Sequence, residues 1–165
     1  MENQIPMGDW RELWTQYGHK LLLFARQQAP CLDDAEDVVQ EAFVRYWKAF
    51  QVNPNLSPTL LFLNVKRVAI DHARKWKSRL STEIQHTAES FFVPTETGQD
   101  DRNQAIEDAL KSLPPEQREI LVLKIWGELT FEEISQTLNI SPHTAASRYR
   151  YALNKLKEVL IPSLQ

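Results

Sequence analysis

The stretch from Leu129 to Leu156, LTFEEISQTLNISPHTAASRYRYALNKL, constrains the fold more than any other part of the 165-residue chain. Its spacing predicts two short helices joined by a tight turn. Thr130 is placed to cap the first helix, and Glu133 follows three residues later, the spacing of a capping box. Ile134 and Leu138 form an apolar pair one helical turn apart. Asn139-Ile140-Ser141 interrupts the pattern. Ser141 is a natural cap for the second helix, and Pro142 suits its first turn, where no backbone N–H is needed. Two short helices with such a turn are the usual frame for laying a helix in a DNA major groove.

The remaining sequence agrees with a helical protein. Four glycines are few for an all-β chain, which spends Gly on hairpins, and 42% apolar residues suffice for a core. Formal net charge is −3, so the whole chain is not basic, and local charge must decide whether it meets nucleic acid. The one cysteine, Cys31, allows no disulfide within the chain, which favours a reducing compartment. The N-terminal MENQIPMGDW lacks the basic and apolar parts of a signal peptide, and no apolar run approaches the roughly 20 residues that span a membrane. A cytoplasmic protein without membrane insertion is expected.

Helical periodicity runs from Asp9 to Gln28, with Trp10, Leu13, Trp14, Tyr17, Leu21 and Phe24 on one face. After Pro30, Asp33 and Asp34 begin a second helix whose apolar face is Ala35, Val38, Val39, Ala42, Phe43, Tyr46, Trp47 and Phe50. Residues 51–56 form a loop, and Ser57-Pro58 opens a third helix to about Arg79. Residues 81–101 hold five acids and no Lys or Arg, with Pro, Gly and no clear period, which reads as a flexible acidic linker. Phe91 and Phe92 are unusual in such a segment. Helix resumes over 103–113, and Pro114-Pro115 starts another that ends near Gly127. The expected fold class is therefore all-α: two small helical domains, 1–80 and 102–165, joined by the linker 81–101, the second ending in the helix-turn-helix.

Three helix faces carry the chemistry. On the third helix, Leu61, Val65, Val68, Ala69, His72 and Trp76 share one side, while Lys66, Arg67, Arg74, Lys75 and Lys77 occupy the other half. Asp71 sits among these cations, four residues from both Arg67 and Lys75, where pairing with either is expected. Such a face suits a nucleic-acid backbone, and an ordinary solvated surface is the competing reading. His72 reads as a structural histidine. On the second helix, Asp33, Asp34 and Glu36 are explained by the helix N-terminus, whereas Asp37, Gln40 and Glu41 form a polar edge beside Phe43 and Trp47 that suits a basic helical partner. On the last helix, Ala145, Tyr149, Ala152, Leu153, Leu156 and Leu160 should face inward. His143, Ser147, Arg150 and Asn154 lie opposite, flanked by Ala146 and Tyr151, with Arg148 placed for a phosphate. No metal-ligand cluster, phosphate-binding Gly-rich loop or nucleophile–base pair is present, so no enzyme activity, metal, cofactor or small-molecule substrate is expected.

Three segments together, DDAEDVVQEAFVRYWKAF (33–50), VAIDHARKW (68–76) and residues 113–160, resemble the bacterial RNA polymerase sigma factors of the extracytoplasmic-function (ECF) type. The resemblance implies a core-polymerase docking surface of Asp34, Asp37, Gln40, Glu41, Phe43 and Trp47. It implies a −10 promoter surface drawing on Asn64, Lys66, Arg67, Asp71, Arg74, Lys75 and Lys77, which also helps melt the DNA. It implies a −35 surface of Pro142, His143, Thr144, Ala146, Ser147, Arg148, Arg150, Tyr151 and Asn154. The partners so implied are core RNA polymerase, promoter DNA and an anti-sigma factor. Against the family pattern, Leu60 stands in place of a Trp, Arg67 in place of an Asn and Ala146 in place of a basic residue. The loop 51–57 lacks the usual charged and glycine residues. A LuxR-type helix-turn-helix regulator with an N-terminal helical sensor is the alternative.

Overall fold

The computed structural model describes residues 10–80 and 101–161; the segment 81–100, with Phe91 and Phe92, lies outside them. Among the described residues the chain is all-α, with seven α-helices and no strand. It divides into two compact units, one within Met1–Thr87 and one within Ala88–Gln165.

The first unit is a three-helix packing of α1 (Trp10–Arg26), α2 (Leu32–Val52) and α3 (Leu60–Leu80), each touching the other two. The apolar faces read from the sequence meet here: Leu21, Phe24, Ala35, Val38, Ala42, Tyr46, Leu61, Val65 and Val68 are fully enclosed, joined by Phe62, which the pattern did not single out. Each large aliphatic or aromatic side chain removed from water in this way stabilises the unit by roughly 1.5–3 kcal/mol before conformational entropy is charged. Trp14 departs from the expected inward face. It is about half exposed, yet its indole lies 5.1 Å from the Phe43 ring and is packed beside Gly18.

The ends of these helices differ from the sequence expectation for local reasons. The α2 helix starts with Asp33 and Asp34 in its first turn, as their position implied, while Cys31 precedes it and no side chain caps that end. The α2 helix continues through Val52 into the expected loop. Ser57 and Pro58 form a turn rather than the first turn of α3: Ser57 Oγ accepts from the Thr59 N–H at 3.3 Å, and the Ser57 carbonyl accepts from the Leu60 N–H at 3.0 Å. Tyr46 fixes the connection from below, its hydroxyl donating to the Leu56 carbonyl at 3.1 Å.

The second unit holds α4 (Asp101–Lys111), α5 (Pro115–Leu121), α6 (Phe131–Leu138) and α7 (Pro142–Leu160). The α4 helix begins two residues before the expected start. Ala109, Leu110, Leu113, Leu121, Ala152 and Leu156 form its core cluster, with Ile106, Tyr149 and Leu153 packed against it. The α5 helix does not stop at Leu121 but widens into a π-helical turn over Val122–Trp126. The Gly127 N–H then closes on the Val122 carbonyl at 2.9 Å. Gly127 is required by space: a Cβ there would lie 2.6 Å from the Leu123 carbonyl oxygen. The following Glu128 takes a left-handed φ of 56°.

Candidate nucleic-acid interface

In the second unit the helix-turn-helix is built from three local locks and a base. Thr130 Oγ1 accepts from the Glu133 N–H at 3.1 Å, and Glu133 Oε1 accepts from the Thr130 N–H at 3.0 Å, which completes the capping box. Asn139 ends α6 in the left-handed region, φ 55°, where its short polar side chain is tolerated. Ser141 Oγ then accepts from the Thr144 N–H at 3.0 Å and caps α7. Beneath the turn, Lys124 Nζ donates to the Leu129 carbonyl at 3.2 Å and stands 4.4 Å from the Phe131 ring centroid. Phe131 in turn packs on Tyr149 at 5.7 Å. The π turn therefore sets where α6 sits, and α6 sets α7.

On α7, Ala145, Ala152 and Leu156 are buried, and Tyr149, Leu153 and Leu160 are half-buried. Pro142, His143, Ser147, Arg148, Arg150, Tyr151 and Asn154 are exposed, and Ala146 is half-buried. Thr144 is engaged in the cap, accepting a hydrogen bond from Ser141 Oγ at 2.8 Å when that hydroxyl donates. Lys155 Nζ lies 5.9 Å from the Tyr151 ring, leaving an amphipathic cation and ring beside the outward polar set.

In the first unit, α3 presents Arg67, Arg74, Lys75 and Lys77 to solvent, and Lys66 is half-buried with Nζ 2.8 Å from Gln28 Oε1. Ile70 projects from the same exposed surface at 62% exposure, an apolar residue that charge patterning alone does not single out. Two members of the expected −10 set are placed otherwise. Asn64 is only 7% exposed and turns into the unit, its Nδ2 donating to the Ala42 carbonyl at 3.4 Å, so it is not part of the surface. Asp71 does not pair along its own helix with Arg67 or Lys75. Its Oδ2 meets Arg45 Nη2 of α2 at 2.9 Å.

The edge of α2 is correspondingly more committed than its spacing suggested. Asp37 and Gln40 are exposed. Glu41 is half-buried between two partners, Arg45 Nη2 at 3.0 Å from Oε1 and His72 Nε2 at 2.8 Å from Oε2. The hydrogen bond to Asp71 is the largest influence holding the Arg45 guanidinium protonated beyond its ordinary range. Phe43 and Trp47 are half-buried against α1, with Trp10 4.3 Å from Trp47 and 6.3 Å from Phe43. Asp34 lies in the first turn of α2, as its position implied, but it is only 7% exposed and bound to Arg79 from the far end of α3. Cys31 Sγ donates to Asp34 Oδ2 at 3.1 Å, and burial pushes the thiol pKa up. Arg45 was missed by sequence reasoning because its position on α2 reveals nothing of a partner 26 residues away on another helix.

Among the described residues no helix is long and apolar enough to cross a membrane. The sequence profile of Sigma-70 region 2 matches residues 13–79, and that of Sigma-70, region 4 matches residues 103–156. The RNA polymerase sigma-E factor of Streptomyces avermitilis is 31% identical over 144 residues, covering 85% of this chain and 78% of that protein. The RNA polymerase sigma-E factor of Streptomyces coelicolor is 29% identical over 151 residues, covering 86% and 80%. The ECF RNA polymerase sigma factor SigE of Mycolicibacterium smegmatis is 28% identical over 173 residues; the match takes in 96% of this chain but only 64% of that longer relative. In fold, the chain resembles the sigma factor RpoE of Bartonella quintana, solved with the anti-sigma factor NepR, with a TM-score of 0.72 at 24% identity over 92% of this chain and 96% of that one.

The chain thus belongs to the sigma-70 family of RNA polymerase sigma factors, in its extracytoplasmic-function branch. Members of that family are transcription initiation factors rather than enzymes. The region 2 match over 13–79 disfavours an N-terminal sensor attached to a LuxR-type domain.

Proposed function

We propose that this chain binds core RNA polymerase in the cytoplasm, directs it to promoters carrying −10 and −35 elements, and assists DNA melting. Asp37, Gln40 and Glu41, with the exposed edges of Phe43 and Trp47, form the docking surface on α2. Arg67, Asp71, Arg74, Lys75 and Lys77 face the −10 region, with Lys66 at the margin. His143, Ser147, Arg148, Arg150, Tyr151 and Asn154, flanked by Pro142, Thr144 and Ala146, meet the −35 element. The domains are 1–80 and 102–165, with 81–101 as the tether between them. An anti-sigma factor is a further partner; of two proteins of similar fold, the sigma factor RpoE was solved with the anti-sigma factor NepR and CnrH with the cytosolic domain of CnrY.

The observation that carries this reading is the pairing of surfaces in the first unit. On α2, Glu41 meets His72 of α3 with the exposed Asp37 one turn away, and α3 carries six cations and a single acid, Asp71. An acidic, aromatic-flanked edge suits a basic protein helix, and a cationic edge suits phosphates. The test is co-purification with bacterial core polymerase followed by run-off transcription on fragmented genomic DNA. The expected result is a stable complex and transcripts absent with core enzyme alone. Neither complex nor transcripts would contradict the function.

A further inference from the structure

A carboxylate on a surface that meets nucleic acid opposes binding unless its charge is answered, because phosphates repel it at short range. Asp71 is the one such group on α3. Its answer comes from the neighbouring helix. Arg45 Nη2 donates both to Asp71 Oδ2, at 2.9 Å, and to Glu41 Oε1, at 3.0 Å, while His72 Nε2 meets the other Glu41 oxygen at 2.8 Å. The side chains of Arg45 and Asp71 are 39% and 56% exposed, and an ion pair so open to water contributes little to folding. The consequence of the pair lies in the electrostatics of the surface.

We propose that Arg45 is a positioning residue for promoter binding: it holds and neutralises Asp71, so that Arg67, Arg74, Lys75 and Lys77 meet the DNA backbone without an opposing charge. The inference rests on the promoter reading above. The shared donor atom also joins the two surfaces of the unit. Arg45 acts through Asp71 and not by reading DNA itself.

The test uses holoenzyme reconstituted with saturating bacterial core polymerase, on promoter fragments selected by the wild-type chain, with affinity measured across ionic strength. Arg45→Gln keeps the stem and removes the charge. It is expected to weaken promoter binding about fivefold at low salt, with the deficit shrinking as salt screens the exposed carboxylate. Arg45→Lys retains most of the affinity. Asp71→Asn removes the need for masking, so the double variant Arg45→Gln/Asp71→Asn returns to within about twofold of wild type. Unfolding midpoints of the three variants close to wild type separate this role from a structural one, since a structural ion pair would show the same salt dependence and rescue in stability. Wild-type affinity in Arg45→Gln, or a double variant as weak as Arg45→Gln, overturns the proposal. A wild-type chain that binds core but selects no promoter fragment overturns the promoter reading itself, and this proposal with it.

Discussion

Arg79 Nη1 lies 3.2 Å from Asp34 Oδ1, tying the last turn of α3 to the first turn of α2. The acid is largely enclosed, so removing the arginine leaves a buried charge without its guanidinium partner. Arg79 itself is one-third exposed, which reduces the effect below that of a fully buried pair. Arg79→Ala is expected to destabilise the first unit by about 2 kcal/mol, measured by chemical denaturation. Asp34→Ala should lose stability in the same way. Its effect on polymerase binding should then follow the folded fraction, unlike that of Asp37.

Asp37→Ala and Gln40→Ala should leave the unfolding midpoint within about 0.5 kcal/mol of wild type, because both side chains are exposed. Combined, they should weaken core-polymerase affinity about tenfold, read by fluorescence titration. Unchanged affinity would remove these residues from the docking surface.

Tyr46 gives a pH dependence with a definite sign. Burial raises its phenol pKa, so the folded chain holds that proton more tightly than the unfolded chain does. Its contribution is fully present below the unfolded value of about 10 and is lost as pH rises through the higher folded value. Tyr46→Phe should flatten this alkaline loss. It should also cost about 1 kcal/mol at neutral pH, through loss of the bond to the Leu56 carbonyl. Denaturation curves at neutral and alkaline pH check both effects.

Gly127→Ala places a methyl group 2.6 Å from the Leu123 carbonyl oxygen. The π turn must shift, at about 1–3 kcal/mol of overpacking strain. Because that turn supports α6 and thereby α7, the second unit should melt earlier and DNA binding should fall with it. Circular dichroism of the full chain detects the first effect and holoenzyme footprinting the second.

What was legible in the sequence follows from the range of the forces involved. The Thr130–Glu133 box, the Asn139 break and the Ser141 cap are contacts within a few residues, and all three appear as their spacing implies. The inward faces of α2, α3 and α7, and of α1 apart from Trp14, were readable because burial repeats with the helical period. The π turn was not, since it depends on how Gly127 and Leu129 close back on Val122 and Leu123. Within the candidate surfaces, single-helix geometry placed Arg67, Arg74, Arg150 and Asn154 outward, as they are. It did not supply the partners of Asp34, Asn64 and Asp71, which are Arg79, the Ala42 carbonyl and Arg45 on other helices. Charge pattern says that an acid needs a partner; only the packing of α2 against α3 says which.

Arg150 stands exposed on α7, where a guanidinium can reach base edges. Arg150→Ala should alter sequence preference at one or two adjacent base pairs, with about 1–3 kcal/mol lost at the preferred base. Uniform weakening across all sequences would instead assign Arg150 to a phosphate. Selection from a library randomised over the upstream element separates these outcomes.

The central claim is that two helical units of one chain read two separate parts of a promoter while polymerase holds them. Selection of transcribed templates from a fully randomised upstream library, by holoenzyme containing this chain, tests it most directly. The account predicts two enriched sequence blocks at a fixed spacing, the upstream block lost with α7 variants and the downstream block weakened by Arg67 and Arg74 variants. A single enriched block, or two blocks at freely varying distance, would contradict it.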